Sequence, residues 1–185
     1  MNTTIAGWAL GVGLAVGAWS PVTQAALAVG APAPDFTVQA ALAGKTFDFS
    51  MSRALQEGPV VLYFYPAAFT QGCTVEAHTF AEAIADYKAL GATVIGLSAD
   101  DIDTLKDFST GPCGSKFAVG ADPGGKVIRA YDAGMGAQSE RATRISYVIS
   151  PEGRIIYEYT AMEPDDHVNN TLKAVREWRA GQAGK

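Results

Sequence analysis

Hydrophobic residues follow two different spacings along the chain, and these spacings predict strands that alternate with helices. Residues 60–64 and 92–97 are short apolar runs rich in β-branched and aromatic residues, which is typical of strands buried on both faces. Between these runs, Phe80, Ile84 and Tyr87 recur at helical spacing, which indicates a helix that faces a core. This alternation favours an α/β fold.

The remaining chain predicts shorter elements of both kinds. The order of the elements implies a mixed central sheet with helices on both faces. Small residues at 109–114 predict an irregular, mobile segment. We expect strands at 36–38, 46–49, 117–119, 145–149 and 154–159, and helices that begin after Ser50, after Asp100 or Asp101, at Lys126 and after Asp165 or Asp166.

The N-terminal segment has the pattern of a secretory signal. Residues 5–19 form a run of 15 apolar residues and glycines, too short to span a bilayer comfortably, although no Lys or Arg precedes the run. We expect a signal peptide at 1–25, with cleavage after Ala25 or else after Ala28; an uncleaved anchor and a buried helix are the alternatives. Residues 29–185 would then form one exported domain, periplasmic or secreted, with no membrane association after cleavage.

Composition narrows the function classes. The 185 residues are 48% hydrophobic, which suits one globular domain, and the formal net charge of −5 argues against a nucleic-acid partner. The chain has only two cysteines, which do not form a CxxC pair, and only two histidines. So few potential ligands, at this spacing, argue against a metal centre. We therefore expect no metal and no nucleic acid.

A cysteine lies where the buried strand at 60–64 runs into the following helix. Pro66 would end the strand because it has no N–H group for the sheet ladder. Thr70 is the predicted N-cap, which places Cys73 in the first helical turn. Unpaired backbone N–H groups there favour a negative charge, so Cys73 is a candidate nucleophile. An inert core thiol is the alternative interpretation.

The residues around Cys73 resemble the active-site pattern of the peroxiredoxins, a family with a thioredoxin-like fold. The match is Pro66-x-x-x-Thr70-x-x-Cys73, followed by Glu76. The string GCTVEA at 72–77 is most similar to the Q-type, or bacterioferritin-comigratory, subfamily. Segments at 33–36 and 144–153 also resemble the family, so the similarity extends from about residue 31 to the C-terminus.

The resemblance implies a thiol-dependent peroxidase without metal, haem or flavin. The Cys73 thiolate would attack a hydroperoxide and become a sulfenic acid. Arg144 and the backbone N–H of Cys73 would stabilise charge on the peroxide oxygens. The Thr70 hydroxyl would bond both the sulfur and the peroxide, Pro66 would shield the thiolate, and Glu76 would orient Arg144. These roles require an accessible sulfur with a guanidinium beside it.

The resemblance also implies a second, resolving cysteine. Many Q-type members carry it five residues after the first, where this chain has His78, whereas Cys113 fits the arrangement of other members. Cys113 would form a disulfide with Cys73, after local unwinding, and a thioredoxin-like or other dithiol would reduce it. A purely structural disulfide is the alternative for Cys113, and Arg141 is the alternative for Arg144.

Two other functions remain open from the sequence. One is an exported thiol-disulfide exchange protein, which the lack of a CxxC motif disfavours; the other is a non-catalytic exported domain that retained the fold. Q-type relatives are often monomeric, so we expect a monomer or a weak dimer.

Overall fold

The structure is a computed structural model that describes residues 26–136 and 138–183. The predicted signal peptide at 1–25 lies outside the described residues. Among the described helices, none has the length and apolar character needed to cross a membrane. Ala26 and Leu27 pack against the core, and the Leu27 N–H donates to Tyr147 Oη at 3.1 Å. The packed domain therefore includes residues before position 29.

The described chain forms one seven-stranded sheet and five helices. The strands are β1 (Thr37–Leu42), β2 (Lys45–Ser50), β3 (Val60–Phe64), β4 (Thr93–Ser98), β5 (Ala118–Ala121), β6 (Ile145–Ile149) and β7 (Ile155–Thr160). The helices are α1 (Met51–Glu57), α2 (Gln71–Ala89), α3 (Ile102–Thr110), α4 (Lys126–Ala130) and α5 (His167–Ala183).

The sheet is mixed, with the order β2-β1-β5-β4-β3-β6-β7. Strands β3, β4 and β5 are parallel neighbours, and all other pairs are antiparallel. In the parallel pair of β3 and β4, Leu62 lies opposite Ile95. In the antiparallel pair of β3 and β6, Leu62 lies opposite Tyr147. Strand β3 lies inside the sheet between β4 and β6, so the loop that follows its carboxyl end has neighbouring strands on both sides.

Strand β3 is buried on both faces because each face packs against its own layer of helices. Val61 and Tyr63 lie in a cluster with residues of α2, α3 and α5, whereas Leu62 and Phe64 lie in a second cluster with residues of α1 and α4. Successive strand side chains point to opposite faces, so an unbroken apolar run serves two cores. The predicted α/β architecture, with a mixed sheet flanked by helices on both faces, is confirmed.

Local signals determine several element boundaries. The Ser50 side chain caps α1 by accepting the Arg53 N–H, and the Asp101 side chain caps α3 by accepting the Thr104 N–H. The α2 helix ends before Gly91, whose φ of 72° lies in the left-handed region. These capping predictions are confirmed, with Asp101 rather than Asp100 as the cap.

The predicted irregular segment at 109–114 is partly wrong. Ser109 and Thr110 belong to α3, because each hydroxyl donates to a carbonyl oxygen three residues earlier and helps close the last turn. Strand β1 also continues to Leu42, beyond the predicted end at 38. Its extra residues pair with β2 and β5, contacts that a local pattern does not reveal.

Candidate active site

The loop between β3 and α2 is held by a carboxylate from the neighbouring strand end. The Ala68 N–H donates to Asp100 Oδ2 at 2.7 Å, and the Ser98 hydroxyl donates to the same oxygen at 2.8 Å. Phe69 has a left-handed φ of 61°, unusual for an aromatic residue, and its ring packs edge-on against Phe108. The loop therefore has a fixed and strained geometry where it enters the helix.

Thr70 is the N-cap of α2, as predicted, but its hydroxyl does not contact the sulfur. Thr70 Oγ1 donates to the Ala67 carbonyl at 3.0 Å, so the hydroxyl closes the loop turn instead. The Thr70 side chain makes no capping bond to α2. Pro66 is only partly buried and follows the last residues of β3. The first turn of α2 thus keeps N–H groups without a side-chain cap near Cys73.

Cys73 and Arg144 meet although they lie far apart in sequence. Arg144 directly precedes β6, which pairs with β3, and its Nη2 donates to Cys73 Sγ at 3.5 Å. Its Nε donates to the Met162 carbonyl at 2.9 Å, which fixes the plane of the guanidinium. Burial opposes ionisation of Arg144, yet the charges of Glu76 and Cys73 raise its pKa above the usual range. Arg144, rather than Arg141, therefore supplies the positive charge beside the sulfur.

Glu76 lies one helical turn after Cys73 and faces the same guanidinium. Arg144 Nη1 donates to Glu76 Oε2, and both side chains are almost completely buried. Burial raises the pKa of Glu76 to about 8, although the charge and the hydrogen bond of Arg144 act in the opposite direction. The arrangement brings the predicted orienting residue and its target into direct contact.

Gly72 makes room for this contact. A Cβ atom at position 72 would lie 3.0 Å from Arg144 Nη2, closer than most side-chain contacts allow. The glycine therefore lets the guanidinium approach the first turn of α2.

The sulfur of Cys73 is covered in this structure. Cys73 is only 1% exposed and lies in the core cluster that includes Tyr63 and Tyr65. Of the two requirements set by the sequence, the guanidinium beside the sulfur is present, whereas the open access is not. An oxidant therefore reaches Cys73 only when the side chains around it move.

Cys113 lies in a different environment. It is completely buried in the turns between α3 and β5, and its N–H donates to the Phe108 carbonyl at 3.1 Å. Burial raises the pKa of the Cys113 thiol to about 12, with no charged group offsetting the effect. Both cysteines are free thiols in the structure.

The two cysteines lie on different elements and are not joined by a disulfide in this structure. A Cβ atom at Gly114 would lie 3.9 Å from the Cβ of Ala81, so the Cys113 turn packs beside that part of α2. Ala81 follows Cys73 by eight residues on the same helix, a distance of about 12 Å along the axis. A disulfide needs Cα atoms within about 7 Å.

His167 and Ser146 contribute to the site and were missed by the sequence reasoning. His167, the first residue of α5, is completely buried, with its Nδ1 2.8 Å from Ser146 Oγ and 3.8 Å from Glu76 Oε1. The spacing of His167 with the buried Thr171 and Val175 is the signal that could have placed it on the inner face of its helix, but its partners come from other elements. No cluster of metal-ligating side chains occurs within 26–136 and 138–183.

Comparisons with known proteins identify the family. The model of the AhpC/TSA family matches residues 29–158. The chain is 34% identical over 148 residues to peroxiredoxin Q, chloroplastic, of Triticum aestivum, and 32% identical over 148 residues to the Oryza sativa subsp. japonica protein of the same name. Each alignment covers 80% of this chain and 66% of the relative, slightly less than two thirds of its length.

A solved structure agrees with these matches. Peroxidoxin BcpB from Mycobacterium tuberculosis superposes with a TM-score of 0.74 at 25% identity, covering 80% of this chain and 96% of that one. This similarity confirms the predicted thioredoxin-like peroxiredoxin fold. Because the family model spans well over half of the sequence, and the site pairs Cys73 with Arg144 in the matched region, the chain belongs to the AhpC/TSA family, with its similarity to Q-type peroxiredoxins confirmed.

Proposed function

We propose that this chain is a thiol-dependent peroxidase that reduces hydrogen peroxide and organic hydroperoxides at Cys73. Membership of the AhpC/TSA family supports the reaction class. The observation that carries the assignment is the bond from Arg144 Nη2 to Cys73 Sγ, at 3.5 Å, in the first turn of a helix. A buried cation and a helix N-terminus both favour the thiolate.

The thiolate attacks one oxygen of the hydroperoxide. An S–O bond forms and the O–O bond breaks, so Cys73 becomes a sulfenic acid while the second oxygen leaves and takes up a proton as water or alcohol. Arg144, fixed by Met162 and Glu76, is placed to stabilise negative charge on the oxygens as their bond breaks.

Ionisation of the thiol supplies only a small part of the acceleration. An ordinary cysteine thiol is roughly 3% ionised at pH 7, so complete ionisation accelerates attack by only about thirtyfold. The lower nucleophilicity of a stabilised thiolate cancels part of this gain. Orientation of the peroxide and charge stabilisation by Arg144 therefore supply most of the rate.

Cys113 is the proposed resolving cysteine. Its thiol would displace the hydroxyl of the Cys73 sulfenic acid as water and give a disulfide, which a thioredoxin-like or other dithiol then reduces. Both thiols are buried and free on separate elements, so we expect the first turns of α2 and the turn at 111–116 to unwind in each cycle.

The surroundings of the site support organic hydroperoxides among the substrates. Phe69 and Val75 lie within four residues of Cys73 and are 54% and 45% exposed; Met162, whose carbonyl holds Arg144, is 48% exposed. Apolar side chains at these positions offer contact area for an alkyl group.

We also propose that the protein is exported after cleavage of its signal peptide. We propose cleavage after Ala25 rather than Ala28, because removal of residues 26–28 would delete the Leu27 bond to Tyr147. Intact-mass measurement of the exported protein should then give an N-terminus at Ala26, and one at Val29 would contradict this choice. The domain would work as a monomer or a weak dimer.

Peroxide consumption by purified protein with a dithiol reductant tests the function. We expect Cys73→Ser to abolish consumption, with a loss of at least about 1,000-fold, because no other described nucleophile contacts Arg144. The matched variant Cys113→Ser should retain one turnover per molecule and lose sustained turnover. Sustained peroxide consumption by Cys73→Ser would contradict the proposal. If Cys113→Ser consumes peroxide as fast as the wild type with every reductant, Cys113 is not the resolving cysteine.

A further inference from the structure

One oxygen of the buried Glu76 carboxyl group has no hydrogen-bond partner within the described part of the chain. Oε2 is bound by Arg144, whereas Oε1 is completely covered and unpartnered. Buried polar atoms of this kind are rare in folded proteins and require an explanation. The Oε1 atom therefore marks a place where a proton could lie.

The polar group that faces this oxygen is the ring of His167. Its Nδ1 lies 3.8 Å from Glu76 Oε1 and 2.8 Å from Ser146 Oγ. Its Nε2 lies 2.9 Å from the Ala161 carbonyl oxygen, which can only accept, so Nε2 carries hydrogen. In the neutral ring, Nδ1 is then an acceptor directed toward Ser146 and Glu76.

The charges in this buried group do not balance without one more proton. With Cys73 as thiolate, Arg144 protonated, Glu76 ionised and His167 neutral, the group carries a net charge of about −1, which burial disfavours. One proton between Glu76 and His167 makes the group neutral. Burial raises the pKa of Glu76 to about 8 and lowers that of His167, so the proton is held mainly by the carboxyl group.

We propose that the Glu76–His167 pair stores one proton while Cys73 is a thiolate and releases it when the sulfur is oxidised. The inference rests on the proposed peroxidase function and extends it to the source of the proton. The balanced step is Cys73–S⁻ + R–O–O–H + H⁺ from the pair, giving Cys73–S–O–H + R–O–H. Sulfur is oxidised by two electrons, the peroxide is reduced, and the departing oxygen receives the stored proton rather than one from solvent.

Oxidation itself removes the reason for storing the proton. Once the sulfur is a neutral sulfenic acid, the ionised Glu76 and Arg144 form a neutral pair. The change in charge at Cys73 therefore drives the release. His167 and Ser146 act in this account as positioning residues, since neither touches the reacting atoms.

Other groups face the pair from the elements packed around it. Tyr63 of β3 interacts electrostatically with Glu76, and the Tyr159 ring of β7 packs edge-on against His167 with centroids 4.8 Å apart. Burial, the largest cause, lowers the pKa of His167; the hydrogen bond to the Ala161 carbonyl and the charge of Asp166 raise it, and Arg144 lowers it.

The number of protons taken from solvent per oxidised sulfur tests the proposal. The Cys113→Ser protein, in weak buffer with a pH-indicator dye, is mixed with one equivalent of hydrogen peroxide between about pH 6 and 8, the upper limit being the pKa of Glu76. Thiolate absorbance gives the ionised fraction of Cys73 before mixing, and trapping gives the sulfenic acid formed. We expect proton uptake well below the thiolate fraction measured in this way.

If the proton uptake per oxidised sulfur equals the thiolate fraction of Cys73, the protons come from solvent and the proposal is wrong. The proposal is also wrong if the thiolate fraction stays small throughout this pH range. In the same background, Glu76→Gln should raise uptake toward the thiolate fraction, because the amide stores no proton. His167→Gln should raise it less, because the carboxyl group that holds most of the proton remains. Unchanged uptake in Glu76→Gln would contradict storage by the pair. Failure to form any sulfenic acid would instead refute the peroxidase function. If a variant does not fold, the measurement on the Cys113→Ser protein alone tests the proposal.

Discussion

The two cysteines of this chain are both buried, yet their surroundings differ in every respect that controls thiol chemistry. Cys73 lies in the first turn of α2, with the Arg144 guanidinium 3.5 Å from its sulfur. Cys113 lies in turns lined by core residues, and burial raises its pKa to about 12. Burial alone therefore does not decide whether a thiol is reactive; the charge placed beside it does.

For the proposed cycle, the difference suggests how one chain could hold an attacking thiol at Cys73 and a resolving thiol at Cys113. A neutral, covered Cys113 does not compete for peroxide while the domain is folded. It becomes available when the turn at 111–116 opens, which is the same movement that disulfide formation requires. In the proposed cycle, the environment that suppresses Cys113 would thereby delay its reaction until Cys73 is oxidised.

The largest expected effect is on the reactivity of Cys113. In Cys73→Ser protein at pH 8, alkylation of Cys113 should be at least about 1,000-fold slower in the folded state than in denaturant, because the pKa rises from 9.0 to about 12. Mass spectrometry after timed iodoacetamide treatment gives both rates. Similar rates would show that the turn is open in solution.

The raised pKa of Cys113 also determines how the stability of the protein changes with pH. Folding favours the neutral Cys113 thiol, so its contribution to stability is complete below pH 9 and is lost as the pH rises toward about 12. Cys113→Ala should reduce this part of the alkaline loss of stability.

Removal of the guanidinium should have the next largest effect. Arg144→Ala should slow oxidation of Cys73 by about 100- to 1,000-fold, since it removes a donor aimed at the reacting atoms. Stopped-flow measurement of a single oxidation checks this. The matched control is Arg141→Ala, an exposed arginine on the same approach to β6, which should stay near the wild-type rate. Equal losses in both variants would remove the special role of Arg144.

A smaller effect is expected at Gly72. Gly72→Ala should slow oxidation by about tenfold, because the added methyl group lies 3.0 Å from Arg144 Nη2 and displaces it. Denaturant unfolding should show no comparable loss of stability. The control is Gly181→Ala in α5, where a Cβ atom meets nothing within 4 Å. A wild-type rate for Gly72→Ala would mean that the guanidinium position is not critical.

The smallest effect is expected at His78, the surface counterpart of the buried His167. Within the part of the chain that the structure describes, His78 pairs with Glu82 at 3.3 Å, and both side chains are about two-thirds exposed. His78→Ala should change the free energy of unfolding by less than about 0.5 kcal/mol and the oxidation rate by less than about twofold. A larger change in rate would assign this position a role that its exposure does not suggest.

Local patterns in the sequence predicted the scaffold well where the signal was itself local. The run at Val60–Phe64, the cap at Asp101 and the stop at Gly91 depend on neighbouring residues, and each is found where it was predicted. The hydroxyl of Thr70 was assigned to the sulfur but bonds the Ala67 carbonyl, because closing its own turn is the nearer alternative.

Long-range contacts could not be read from the same patterns. Helical spacing places His167 on an inner face, but only the sheet order brings it beside Glu76 and Ser146. The covering of Cys73 likewise depends on side chains from several elements. His167 and Ser146, which reach the site through Glu76, were therefore missed by sequence reasoning.

Chemical trapping of the oxidised sulfur tests the central claim most directly. Cys113→Ser protein is treated with one equivalent of hydrogen peroxide in the presence of a sulfenic-acid probe, and the adduct is located by peptide mass spectrometry. The account predicts a stoichiometric adduct on Cys73, and none on Cys113 in Cys73→Ser protein treated in the same way. An unlabelled Cys73, or a labelled Cys113, would contradict it.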